Sequence, residues 1–78
     1  MSWSHSILEE ADGTLRVEVT DEDGALLPVA RQVTRAQAET LIQRIGAEAE
    51  ASSRPIKTVI RDPYFMAATV IMVKRLPE

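Results

Sequence analysis

From Thr14 to Thr20 apolar and polar residues alternate without a break: Leu15, Val17 and Val19 fall on one side, Thr14, Arg16, Glu18 and Thr20 on the other. A period of two belongs to a strand buried on one face only. Asp12-Gly13 stands directly before this run. Glycine accepts positive φ at no steric cost and aspartate tolerates it, so the dipeptide predicts a hairpin with Trp3 to Glu10 as the partner strand. Asp21-Glu22-Asp23-Gly24 repeats that turn chemistry and predicts a third strand, Ala25 to Val33, with Leu27, Val29 and Val33 on one face. Pro28 has no amide hydrogen for a ladder, which assigns the third strand to a sheet edge or a bulge.

The period changes at Thr34. Thr34-Arg35-Ala36-Gln37 spells a capping box, in which the threonine oxygen accepts from the Gln37 amide and the glutamine side chain reaches back. Ala38, Leu41, Ile42, Ile45 and Ala49 then form one stripe of a helix over residues 34–51, with Arg35, Glu39, Gln43, Glu48 and Glu50 turned away. Gly46 costs about 1 kcal/mol against alanine inside a helix, a cost that a close approach to the sheet would explain. Ser52-Ser53-Arg54-Pro55 marks the end, because the residue before proline avoids the α region.

Beyond Pro55 the pattern is less decisive. Residues 56–61 are short and β-branched, and they predict a fourth strand ending at Asp62-Pro63. That dipeptide fits the N-cap and first position of a helix, yet Thr69-Val70-Ile71-Met72-Val73 is rich in strand formers. The balance of propensities predicts a fifth strand over about 65–75. The expected fold class is therefore α+β in a single domain, residues 1–78: a three-stranded antiparallel meander, one amphipathic helix and one or two C-terminal strands.

As a strand, the segment from Tyr64 to Val73 is apolar on both faces. Tyr64, Met66, Ala68, Val70 and Met72 lie on one, and Phe65, Ala67, Ile71 and Val73 with Thr69 on the other. Both faces then need covering, and a single helix covers one. Tyr64, Phe65, Met66, Val70, Ile71, Met72 and Val73 are accordingly the candidate self-association residues, with a second copy of the chain as the expected partner and another protein as the variant of that reading.

Composition strengthens this expectation. A chain of 78 residues without cysteine has no disulfide to reinforce a small core, and domains of this size commonly rely on a metal or on oligomerisation. His5 is the only histidine, so no metal site is expected. The first residues lack the basic and apolar pattern of a signal peptide, and the apolar run from Tyr64 to Val73 falls short of the roughly 20 residues of a spanning helix. A cytoplasmic protein without a membrane segment is the expectation.

Charge divides unevenly along the chain. Residues 1–30 carry Glu9, Glu10, Asp12, Glu18, Asp21, Glu22 and Asp23 against Arg16 alone, whereas residues 31–78 carry a net +3. Within the basic part, Arg54, Lys57 and Arg61 precede Lys74 and Arg75. These five are the candidate contacts of the alternative reading, a nucleic-acid-binding accessory protein. Overall acidity, only two lysines and no aromatic residue interleaved within either basic cluster, 54–61 or 74–75, count against it.

No catalytic pattern stands out. His5 between Ser4 and Ser6 is adjacency in sequence and not a triad. The acidic run at Asp21 fails the calcium-loop spacing, which would place glycine where Leu26 stands and glutamate where Gln32 stands. Neither glycine-rich nucleotide-binding motif occurs. The expectation is a non-enzymatic interaction or assembly module without a cofactor.

Overall fold

The computed structural model describes residues 2–77, so both end positions of the expected 1–78 domain lie outside the described residues. Strand β1 (Ser4–Glu9), strand β2 (Leu15–Thr20) and strand β3 (Leu26–Val33) precede helix α1 (Arg35–Ser52), helix α2 (Ile56–Ile60) and helix α3 (Pro63–Lys74). The α+β class and the antiparallel meander in the order β1-β2-β3 agree with the sequence pattern.

Both hairpins are built alike. Glu10 donates its amide to the Thr14 carbonyl and Gly13 donates to Glu10, while Asp21 and Gly24 repeat the arrangement with Ala25 and Asp21. Gly13 and Gly24 sit at φ of 87° and 85°. This is the three-residue hairpin loop that ends on a left-handed residue and leads into a bulge. Asp21 is buried, and its Oδ1 accepts from the amides of Asp23 and Ala25.

Strand β3 is irregular, as Pro28 foretold. Its register against β2 shifts between Glu18 and Val17 and again between Val17 and Leu15. Each shift inserts an extra residue on β3, and Gln32 takes the left-handed conformation at the second.

Leu15, Val17 and Val19 bury the inner face of the sheet against Ala38, Leu41, Ile42 and Ile45 of α1. The capping box at Thr34 forms in full. At Gly46 a Cβ would stand 3.0 Å from the Trp3 ring, so the close approach is to a side chain ahead of β1 and not to the sheet itself. The outer face carries a polar network, in which Glu10 joins Arg16 at 3.1 Å and Arg31 at 3.0 Å.

The C-terminal third corrects the sequence reading. Residues 56–61 and 65–75 form no strands; α2 and α3 occupy those positions, so the described residues hold three helices where one was expected. In α2, Ile56 and Val59 are both fully buried. A strand would turn them to opposite faces, whereas a helical turn brings i and i+3 together. In α3, Asp62 Oδ1 accepts from the amides of Tyr64 and Phe65, and Pro63 occupies the first turn, where its missing donor costs nothing.

Candidate interaction surface

Helical geometry redistributes the residues singled out between Tyr64 and Val73. Phe65, Thr69 and Val73 follow one another at four-residue spacing on the inward side. Thr69 and Val73 are buried, and Phe65, Met66 and Val70 pack against the core while keeping part of their surface. Val73 thus belongs wholly to the chain's own interior. Tyr64, Ile71 and Met72 point outward, with 86%, 54% and 37% of their surface exposed. Ala67 and Ala68, which the strand reading divided between two faces, are exposed with them.

A shallow apolar groove of about 360 Å³ runs beside this face. Pro28 and Val29 of β3 form one wall, Ile60 of α2 contributes to it, and Met66, Ala67, Val70 and Ile71 of α3 form the other. Pro28, Val29, Ile60 and Ala67 were not among the candidates from sequence. The signal that would have found Ala67 is Asp62-Pro63: taken as a helix start, it puts Tyr64, Ala67, Ala68, Ile71 and Met72 on one side.

Most of the candidate basic contacts are engaged within the chain. Arg54 bonds Asp62 at 3.1 Å and Glu48 at 3.0 Å, and the two carboxylates make its guanidinium hold its proton more firmly. Asp62 is held below the usual carboxylate range, first by the Phe65 amide and then by Arg54. Lys57 pairs with Asp23, which raises the lysine and lowers the aspartate. Lys74 Nζ donates to the carbonyls of Arg31 and Gln32 at 3.0 and 2.7 Å. Arg61 and Arg75 are exposed and form no ion pair among the described residues.

The charge imbalance noted along the sequence is partly answered inside the fold. The acidic β2–β3 turn lies against the start of α2, where Glu22 Oε2 accepts the Ile56 amide at 2.8 Å and Asp23 takes Lys57. Pro55 carries no hydrogen-bonding group in its side chain to cap α2, so Glu22 supplies the acceptor from another element.

His5 sits on β1 with its ring centroid 6.4 Å from that of Trp3. No described helix is long and apolar enough to cross a membrane. This chain matches no known family model, no characterised protein and no solved structure.

Proposed function

We propose that this chain is a small, non-enzymatic assembly module that associates with a second copy of itself through the outer face of α3. The observation that carries the reading is the exposure of Tyr64, Ile71 and Met72 on a helix that has already turned Thr69 and Val73 into the core. A helix apolar all round belongs in an interior, and here one side of it faces water. Two copies of α3 packed about a two-fold axis would cover that side, with Ala67 and Ala68 permitting close approach. The nucleic-acid alternative draws less support from the geometry, because Arg54, Lys57 and Lys74 direct their charge to partners within the chain.

Sedimentation of the unmodified chain and of Ile71→Asp tests the proposal. The unmodified chain should self-associate at high micromolar concentration, and Ile71→Asp should remove the α3 contact, lowering the sedimenting mass with unchanged circular dichroism. A monomeric unmodified chain at that concentration would sink the reading.

A further inference from the structure

The two edges of the sheet are treated differently. Along β3, Pro28 removes a donor, two bulges break the register, and Lys74 takes the carbonyls of Arg31 and Gln32. All are recognised ways of keeping a sheet edge from pairing with another chain. Strand β1 has none of them. It contains no proline and no lysine or arginine, and its register with β2 runs unbroken from Ser4 to Glu9.

Which backbone groups β1 leaves free follows from the first hairpin. Glu10 donates to Thr14, so residues 10, 8, 6 and 4 turn their amides and carbonyls toward β2. The amides and carbonyls of His5, Ile7 and Glu9 therefore point out of the sheet. Among the described residues nothing bonds to them.

We propose that β1 is a second self-association edge, pairing antiparallel with β1 of another copy about a two-fold axis at Ile7. In that register the free groups of Ile7 meet those of the partner's Ile7, and His5 stands opposite the partner's Glu9 twice over. An imidazole N–H facing a carboxylate makes the edge self-complementary, which selects a second copy over an unrelated strand. An open depression of about 550 Å³ beside the edge, bordered by His5 and by Ala36, Thr40 and Gln43 of α1, has room for the incoming side chains. Thr40 and Gln43 add hydrogen-bonding groups there, and Glu39 is its like charge. The result is a continuous six-stranded sheet, and the inference is independent of the α3 face.

Amide hydrogen exchange followed residue by residue tests it. The amides of His5, Ile7 and Glu9 should be protected in concentrated solution and lose that protection on dilution, whereas Ser6 and Leu8 stay protected throughout. His5→Glu should abolish the concentration-dependent protection, and adding Glu9→Lys to it should restore protection. Ile71→Asp should leave it intact, so failure here is distinguishable from failure at α3. Rapid exchange at Ile7 and Glu9 at every concentration would overturn the proposal. So would protection indifferent to His5→Glu, or protection that appears only when a different protein is added.

Discussion

Helices α1 and α3 start in the same way and end up with opposite exteriors. Each opens on a side-chain cap, Thr34 for α1 and Asp62 for α3, and each sends an apolar stripe into one shared core. On its outer side α1 presents Arg35, Glu39, Gln43, Arg44 and Glu50, whereas α3 presents Tyr64, Ala67, Ala68, Ile71 and Met72. A cap together with a few inward residues suffices to make a helix. What the remaining side is made of decides whether water or another surface should meet it.

The sharpest break in that comparison sets an inward residue of α1 against an outward residue of α3. Ile45 is fully buried, and Ile45→Ala should cost about 2–5 kcal/mol in urea unfolding, through lost burial and the cavity left behind. Ile71→Ala should stay within about 0.5 kcal/mol of the parent when both are measured as monomers. Equal losses at the two positions would mean that Ile71 is held by the chain's own core.

Capping comes next in size. Thr34→Ala and Asp62→Ala should each lower stability by about 0.5–2 kcal/mol in the same measurement. Asp62→Ala should be the larger loss, because it also removes a partner of Arg54. If Asp62→Ala left the helical circular dichroism and the urea midpoint unchanged, α3 would owe its conformation to packing alone.

Acidity offers a gentler probe of the same end of α3. Asp62 lies below its ordinary value of 3.8 in the folded chain, as do Asp12, held down by the Thr14 hydroxyl and amide, and Asp23, held down by Lys57. A carboxylate depressed on folding contributes stability that is fully present above the unfolded-state value and is lost as pH falls through the folded one. The urea midpoint should therefore decline as pH is lowered from about 5 toward 2. Asp62→Asn should flatten part of that decline, and Thr34→Ala should leave it unchanged.

The smallest effect is expected at Gly46. Alanine would gain about 1 kcal/mol of helix propensity, but its Cβ would press on Trp3 at 3.0 Å. Gly46→Ala should thus be close to neutral and shift the tryptophan fluorescence. In a Trp3→Ala background the same substitution should recover the propensity gain, a coupling that a double-mutant cycle reads directly.

What was legible in the sequence was whatever one local pattern settles. Alternation from Thr14 to Thr20, two glycine turns and the Thr34 box specify the meander and α1, because hairpin and cap chemistry act over four or five residues. Pro28 announced the broken edge for the same reason. Residues 56–75 carried two contradictory signals, β-branched composition against Asp62-Pro63, and composition was the weaker. Strand propensity is weak where local chemistry opposes it, and here the Asp62 cap and the shared burial of Ile56 and Val59 favoured helices. Only the tertiary structure decided that Ile56 shares a face with Val59, that Glu22 caps α2 from a distant turn, and that Lys74 reaches Arg31 and Gln32. The candidate surface followed that decision. Turning the segment from strand to helix withdrew Val73 into the core and gathered Ala67 and Ala68 beside Tyr64, Ile71 and Met72, because a period of 3.6 groups residues that a period of two keeps apart.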